Sequence, residues 1–315
     1  MTSTRIIASR RARTGPGLSR ARRRRPGSKL GFAMVSPAVL ALAAITGFPL
    51  LYNLWNSFHY FNLLQPIGGH PYVGLANYSQ VFSSSTGLAP ALEHTLGYTA
   101  VSVPIEVALG LGIAMLLNRP IRGRGAARSL LLLPWAVPTV LSATVWKTML
   151  DPQTGGVDYV LGQLHLPGSH TTWLGVNTLL SWVSVLFADV WQVVPFVAIV
   201  LLAGLQGIPR DLYEAAELDG AGGWGTFRRI TLPLLRPALL VVLVFRTLSA
   251  FLIFDIIYAL TGGGPGTSTT TMSYLDWQTF LVNGNYGLGG AISVVMVGVA
   301  LLIAGFYRLV LRPKT

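Results

Sequence analysis

Apolar residues in this chain are gathered into long stretches, and polar residues are concentrated between them. Six stretches each carry at least about 20 predominantly apolar residues, the length that an α-helix needs to cross the roughly 30 Å hydrocarbon core of a bilayer. Only 11% of the residues are charged, whereas an ordinary soluble domain has about a quarter. We therefore predict an all-α integral membrane protein. Its six transmembrane helices are predicted at 32–55, 94–117, 129–150, 176–205, 237–260 and 287–309.

Basic residues are distributed unevenly among the segments between these helices. The predicted loops 57–93, 151–175 and 262–286 contain no Lys or Arg. Every basic residue except Lys147 and Arg246 falls in the N-terminal segment, in the other loops or at the C-terminal end. Cytoplasmic loops carry an excess of Lys and Arg. The pattern therefore predicts that both termini are cytoplasmic.

The first 31 residues form a basic segment without an apolar period. Ten Lys and Arg residues and no acid lie between Arg5 and Lys29, and the formal net charge of the chain is +12. Segments of this composition cannot bury enough apolar surface to fold. We predict a disordered cytoplasmic tail at 1–31 that touches anionic lipid, and a second short tail at 312–315. Nucleic-acid binding is not favoured, because the charge lies beside a membrane span.

Three further features limit the alternatives. Residues 41–43 have the small-x-small pattern of a signal-peptide cleavage site, but apolar residues continue to Leu54, which favours a retained span. The chain has no cysteine, so disulfides and thiolate metal sites are excluded. The five histidines fall in the predicted outer loops or at the outer ends of spans, with a spacing that predicts no metal site.

The predicted cytoplasmic loop at 206–236 has the pattern of two short helices. Asp211 and Glu214 place negative charge near the N-terminus of the first, which is favourable there. Gly220 begins a glycine-rich break, and a second helix runs toward Pro233, where span five starts. The loop therefore predicts a small helix–turn–helix of compact residues on the cytoplasmic face.

The fixed positions of this loop carry a family resemblance. Glu214-Ala-Ala, then Gly220, Ile230 and Leu232-Pro233 at defined spacings, resemble the EAA motif of binding-protein-dependent ABC permeases. The resemblance implies that the loop docks in a cleft of an ATPase subunit, whereas the alternative is an ordinary amphipathic connector. The residues expected to couple to the ATPase are Tyr213, Glu214, Ala215, Ala216, Asp219, Gly220, Ile230, Leu232 and Pro233.

Other segments resemble the carbohydrate-importer branch of these permeases, of the maltose-transporter type. They lie at 72–78, 133–138, 189–196 and 254–265, and the resemblance extends over 32–311. It implies a type I importer core in a bacterial plasma membrane that works by alternating access. It also implies a second homologous permease, a dimer of ATP-binding subunits, an extracytoplasmic solute-binding protein and a sugar substrate.

The chain lacks the residues for ATP hydrolysis. A phosphate-binding P-loop needs Gly-Lys-Ser/Thr, but the three lysines follow Ser, Trp and Pro. We therefore expect a non-catalytic subunit with no cofactor of its own, and ATP and Mg²⁺ on a separate ATPase. The predicted outer loops are too short to hold a solute-binding domain.

Five ionisable residues fall within predicted spans, where charge costs several kcal/mol unless it is paired or hydrated. Lys147 and Asp255 lie near outer ends and are expected to snorkel. Asp189 and Arg246 lie deeper, and two interpretations are open: a sugar path, or a structural ion pair of Arg246 with Asp189 or Glu106. The sugar-path residues that the resemblance implies are Trp135, Thr139, Asp189, Val193, Phe196, Arg246, Ala250 and Ile253.

Alternative functions remain open at this level. The deep Arg246 is compatible with import of a glycerophospho compound, although Asp189 disfavours an anion. A membrane enzyme such as a glycosyl transferase would need carboxylates clustered at an interface, and an ATP-independent transporter would have no use for the loop at 206–236. The run 245–247 resembles members that carry trehalose or maltose-like disaccharides.

Overall fold

The apolar stretches form long helices in a computed structural model of the chain, which describes residues 28–66, 68–120, 122–165 and 171–310. Within these ranges the regular structure is helical apart from two isolated β-bridges. Five helices of the described part are long and apolar enough to cross a membrane, and a bent pair raises the number to six. The prediction of an all-α, multi-spanning protein is therefore confirmed.

The α-helices are numbered in chain order, and short 3₁₀ and π turns join several of them. They are α1 (Ser28–Leu42), α2 (Phe48–Asn56), α3 (Ala76–Val81), α4 (Leu88–Asn118), α5 (Arg124–Leu131), α6 (Leu133–Ala136), α7 (Thr139–Met149), α8 (Gly156–Gln163), α9 (Thr178–Gln206), α10 (Asp211–Leu218), α11 (Gly223–Thr226), α12 (Leu232–Phe251), α13 (Met272–Trp277) and α14 (Tyr286–Val310).

The chain divides into two units, at 1–50 and 51–315. In the first, α1 is followed directly by a π turn at Ala43–Gly47 and the start of α2. The tail predicted at 1–31 lies outside the described residues except for 28–31, which are helical and open α1. The tail predicted at 312–315 also lies outside them.

Span three, predicted at 129–150, is a pair of helices separated by a sharp bend. The segment Arg124–Ala136 and helix α7 meet at an angle of 89°. The cause is Pro138, because a proline disfavours the helical conformation of the residue before it. Val137 accordingly has extended angles, φ −76° and ψ 133°. The bend leaves the Val137 carbonyl without a backbone donor among the described residues, whereas the Pro138 carbonyl accepts from the Ser142 amide at 2.9 Å.

Span five also differs from its prediction at 237–260. The helix begins in the preceding loop, runs over Gly223–Phe251 and ends nine residues early. The apolar residues that follow belong to a separate buried segment with a π turn at Ile257–Thr261. That segment packs against α7 and α9, and Ile257 is fully buried. Asp255 therefore lies beyond the spanning helix rather than inside it.

Helices α4, α9 and α12 pack against one another and form the centre of the second unit. Small residues permit the close approach: a Cβ added to Gly110 of α4 would lie 2.4 Å from a methyl group of Val197 in α9. A Cβ added to Gly204 would lie 2.6 Å from Ala238 in α12. In lipid, helices associate mainly through such packing and through interhelical hydrogen bonds. This contact brings the three deep charges of the sequence together.

Candidate functional site

An ionic cluster joins the three central helices. Arg246 of α12 donates from Nε to Glu106 Oε2 of α4 at 2.6 Å and from Nη2 to Oε1 at 2.7 Å. Its Nη2 also donates to Asp189 Oδ2 of α9 at 3.1 Å. The residues are 5%, 0% and 7% exposed respectively. The guanidinium therefore makes a bidentate pair with Glu106 and a weaker, single contact with Asp189.

The cluster contains more negative than positive groups. Two carboxylates share the single guanidinium of Arg246, and the hydroxyl of Tyr98 donates a further hydrogen bond to Asp189. Both partners proposed for Arg246 from the sequence are thus in contact with it. Glu106 is the closer of the two, although the family resemblance did not place it on the sugar path. Glu106 was identified from the sequence as a possible partner of Arg246 because it is an ionisable residue inside a predicted span.

A cavity of about 450 Å³ opens beside this cluster. Asp189 and Arg246 contribute to its polar wall, while Glu106 lies behind them and does not line it. Six of the eight sugar-path residues named from the sequence line the cavity: Trp135, Thr139, Asp189, Val193, Arg246 and Ile253. The structure thus gathers residues from spans three, four and five around one space.

Two of the eight residues lie behind the cavity wall. Phe196 stacks on Trp135, with ring centroids 5.3 Å apart and planes inclined by 18°. Ala250 is 1% exposed and belongs to an apolar core cluster. Phe196 therefore fixes the orientation of the Trp135 ring, whose own side chain is 48% exposed. Trp135 presents a flat apolar surface toward the cavity.

Three polar lining residues were absent from the sequence-based set. Gln192, Ser249 and Asp255 all border the cavity. Gln192 follows Asp189 by three positions on α9 and so shares its helix face; this spacing was the available signal. Asp255 could not be placed because the predicted end of span five was wrong. These side chains provide hydrogen-bonding groups at several levels of the cavity.

Gln192 also closes the break in span three. Its Nε2 donates to the Val137 carbonyl at 2.8 Å and is 3.4 Å from Thr139 Oγ1. The carbonyl is one that the bend at Pro138 leaves without a helical partner, and such groups need a partner inside a membrane. Gln192 Oε1 is buried and has no hydrogen-bond partner among the described residues. Gln192 is therefore a cross-link between α9 and the bend.

The loop at 206–236 has the predicted helix–turn–helix form. Helix α10 is followed by Gly220 in the left-handed region, at φ +75°, which glycine adopts without steric cost. The Ala221 amide donates to the Ala216 carbonyl at 2.9 Å and caps the helix. The Tyr213 hydroxyl lies 3.2 Å from Thr231 Oγ1 and ties α10 to the π turn before α12. The two short helices are thus held as one unit.

Most of the residues that the family motif placed at the ATPase contact are accessible. Glu214, Ala215, Asp219 and Gly220 are exposed, whereas Ala216 is buried. Tyr213, Ile230, Leu232 and Pro233 are half-buried. The most exposed large apolar side chains of the loop were not in the predicted set: Leu218 is 89% exposed and Trp224 is 73% exposed. Exposed apolar side chains on a small helix–turn–helix loop are typical of a protein–protein contact.

Within the described residues no group of three His, Cys, Asp or Glu side chains is placed to hold a metal ion. His170 lies outside those residues. The polar groups at the site are hydrogen-bonding side chains and one shared cation, which lie beside an aromatic surface.

Comparisons with known proteins agree with this geometry. Residues 107–314 match the family model described as binding-protein-dependent transport system inner membrane component. The trehalose/maltose transport system permease protein MalF of Thermococcus litoralis is 41% identical over 268 residues, which are 85% of this chain and 88% of the relative. The trehalose transport system permease protein SugA of Mycobacterium tuberculosis is 38% identical over 276 residues, 88% of this chain and 86% of the relative.

A solved structure has the same fold. It is the crystal structure of a bacterial alginate ABC transporter in complex with an alginate pentasaccharide-bound periplasmic protein, and one of its chains superposes with a TM-score of 0.77. That chain is 26% identical, and the match covers 90% of the present chain and 94% of the other. The described architecture is thus that of an importer permease.

Proposed function

Because this chain belongs to the family of binding-protein-dependent transport system inner membrane components, we propose that it forms the translocation path for a neutral disaccharide of the trehalose or maltose type. It is a sugar ABC importer permease and a non-catalytic, multi-pass membrane subunit. The observation that carries the substrate proposal is the cavity in which the aromatic face of Trp135 stands beside Asp189, Gln192 and Arg246.

The charge of the cavity supports a neutral substrate. A sugar without charge needs hydroxyl partners and a flat apolar surface, and the cavity offers both. An anion would need an excess of positive charge, but the one guanidinium here is already shared by two carboxylates. Asp255 adds a second carboxylate to the cavity lining, beside that of Asp189. A glycerophospho compound or an acidic oligosaccharide would therefore be repelled.

The fold alone does not decide this point, because a transporter of the acidic polysaccharide alginate has the same architecture. The relatives named for trehalose and maltose support the neutral choice. In our proposal the local balance of charge around the path, set by a small number of side chains on spans three, four and five, decides between a neutral and an acidic substrate.

The energy source in our proposal is a separate dimer of ATP-binding subunits, which hold ATP and Mg²⁺. The loop at 206–236 docks in a cleft of one such subunit, with Glu214 beside the exposed Leu218 and Trp224 at the contact. A second homologous permease completes the path, and an extracytoplasmic binding protein delivers the sugar. Both termini lie in the cytoplasm, which agrees with the distribution of basic residues.

Transport then follows alternating access. The loaded binding protein docks on the outer face, and closure of the ATPase dimer moves the coupling loop. Helices α9 and α12, which flank that loop, carry Asp189 and Arg246 and transmit the movement to the cavity. The path opens outward to receive the sugar and returns inward after hydrolysis.

The proposal is tested by identifying the ligand that the partner binding protein binds and the complete importer transports. We expect calorimetry on the partner binding protein to detect trehalose or maltose, and we expect the reconstituted importer to take up the same radiolabelled sugar in an ATP-dependent manner. A matched assay with an acidic oligosaccharide and with the anionic phosphodiester glycerophosphoglycerol should give no uptake. Transport of either charged compound in preference to the disaccharide, or uptake by the purified subunit alone, would refute the proposal.

A further inference from the structure

Four aromatic side chains form a cluster at the end of α12 that lies opposite the coupling loop. The outer aromatic cluster consists of Phe254, Tyr258, Tyr274 and Trp277. Its ring centroids are separated by 4.9 Å for Tyr258 and Trp277, 5.3 Å for Tyr274 and Trp277, and 5.8 Å for Phe254 and Trp277. The rings thus present faces and edges in several orientations over a small area.

Two chain segments build this cluster, and hydrogen bonds hold them together. Phe254 and Tyr258 come from the segment after α12, and Tyr274 and Trp277 from α13. Thr271 Oγ1, just before α13, donates to the Ile253 carbonyl at 3.1 Å. Thr269 Oγ1 donates to Thr261 Oγ1 at 2.8 Å. The aromatic surface is therefore preorganised, so a ligand would bind it at a low cost in conformational entropy.

The polar atoms of the cluster are not used within the part of the chain that the structure describes. Among the described residues, no hydrogen bond involves the hydroxyls of Tyr258 and Tyr274, the indole nitrogen of Trp277 or the carboxylate of Asp255 beside them. Other tryptophans behave differently: the indole nitrogen of Trp173 donates to Asp158 at 2.9 Å, and that of Trp182 donates to the Ser268 carbonyl at 3.1 Å. The cluster thus combines aromatic faces with free donors and acceptors.

The cluster is continuous with the cavity. Phe254 belongs to both, and Asp255 lines the cavity and is exposed. Tyr258 is 45% exposed. A ligand on this surface would therefore lie directly outside the space bounded by Trp135 and Arg246. Flat apolar rings with polar edges are complementary to a pyranose, which has apolar C–H faces and a rim of hydroxyls.

We propose that the outer aromatic cluster is an entry subsite that binds a pyranose ring of the neutral sugar before it reaches the ionic cluster. One ring of a disaccharide stacks on Tyr258, with Trp277 inclined by 74° to it at its side, and the sugar hydroxyls bond to Asp255 and to the tyrosine hydroxyls. The subsite rests on the proposed function, because it needs a sugar that enters from this side. It extends the path outward by one binding position.

The test uses the complete importer in proteoliposomes, with binding protein loaded with radiolabelled trehalose or maltose. We expect Tyr258→Ala to lower the uptake rate at limiting loaded binding protein about fivefold, equivalent to about 1 kcal/mol. Stimulation of the ATPase by the binding protein should stay within twofold of the unsubstituted importer, so the sugar carried per ATP falls. Tyr258→Phe keeps the ring and should lose less than twofold.

A matched control is Tyr159→Ala, because Tyr159 is 68% exposed and lies in α8 outside both the cluster and the cavity. Trp277→Leu provides a second test of the same surface, and size-exclusion chromatography checks its assembly. Normal uptake in an assembled Tyr258→Ala importer overturns the inference and leaves the proposed function intact. Failure of the unsubstituted importer to carry any neutral disaccharide instead overturns the proposed function.

Two other outcomes also overturn the subsite. Equal losses in Tyr258→Phe and Tyr258→Ala would exclude ring stacking. A fall in ATPase stimulation parallel to the fall in uptake, with weaker binding of the empty binding protein, would show that the cluster contacts that protein rather than the sugar. The inference therefore holds only if uptake falls while docking and ATP hydrolysis persist.

Discussion

The ionic cluster allows stability and substrate handling to be separated by single substitutions. Glu106 makes two short bonds to Arg246 but does not line the cavity, whereas Asp189 makes one longer bond and does line it. Hydrogen bonds to charged groups contribute about 1.5–3 kcal/mol each. We therefore expect Glu106→Gln to destabilise the protein by about 2–3 kcal/mol and Asp189→Asn by about 1–2 kcal/mol.

For transport, we expect Asp189→Asn to have a larger effect than Glu106→Gln, the reverse of their order for stability. Asp189→Asn removes a carboxylate that faces the cavity and should raise the half-saturation constant for the sugar about tenfold, equivalent to about 1.4 kcal/mol. Glu106→Gln should change that constant less than threefold. Arg246→Met affects both properties, because it leaves two buried carboxylates without a cation, a change that costs about 3–5 kcal/mol.

Thermal unfolding of the purified importer in detergent measures the first property, and uptake into proteoliposomes measures the second. The double variant Glu106→Gln with Arg246→Met is the internal control. It leaves only Asp189, bonded to Tyr98, and should recover about 1–3 kcal/mol of the loss in Arg246→Met through the coupling of neighbouring sites. If Glu106→Gln impairs sugar affinity more than Asp189→Asn and leaves unfolding unchanged, the assignment of the two carboxylates is wrong.

Three further changes test other parts of the structure. Gln192→Leu leaves a carbonyl unpaired at the break in span three and should cost about 1–3 kcal/mol in thermal unfolding, together with most of the uptake. Gly110→Ala should destabilise by more than 1 kcal/mol because its Cβ would lie 2.4 Å from Val197, whereas Gly112→Ala, with open space around it, should be nearly neutral. Burial raises the pKa of Asp276 to about 6, so stability should fall as pH rises from about 4 to above 6 and then level off, and Asp276→Asn should remove this dependence.

The sequence was sufficient for the spans that are uniformly apolar. The fourth and sixth begin and end within a few residues of their predicted bounds, because long apolar runs have no alternative in a bilayer. The bounds of the fifth were wrong for a reason that hydropathy cannot supply. Apolar segments that turn back into the protein have the same composition as those that continue across the membrane, and only packing distinguishes them.

The difference between composition and packing also limited how much of the candidate site could be predicted from the sequence. Asp189 and Arg246 were identifiable because charge inside a span is costly and therefore usually functional. Gln192 could not be identified in this way. Its importance depends on the Val137 carbonyl that the bend at Pro138 leaves free, and the sequence does not show that this bend lies beside α9. The outer aromatic cluster was missed because Tyr258 and Trp277 are nineteen positions apart along the printed sequence and meet only when α13 folds back over the end of α12.

In the proposed function, Asp189 and Arg246 serve both stability and selectivity, because both belong to the ionic cluster and both line the cavity. In lipid, apolar surfaces give helices little reason to associate, and α4, α9 and α12 gain specificity from the bonds that Arg246 makes to Glu106 and Asp189. In the proposed function, the surplus carboxylate that makes the path unfavourable for anions is also part of this bond network. A change of substrate charge therefore cannot be obtained by replacing Asp189 with a basic residue alone. That variant would place two cations beside one buried carboxylate, and a compensating loss of charge elsewhere in the cluster would be needed for the three helices to stay together.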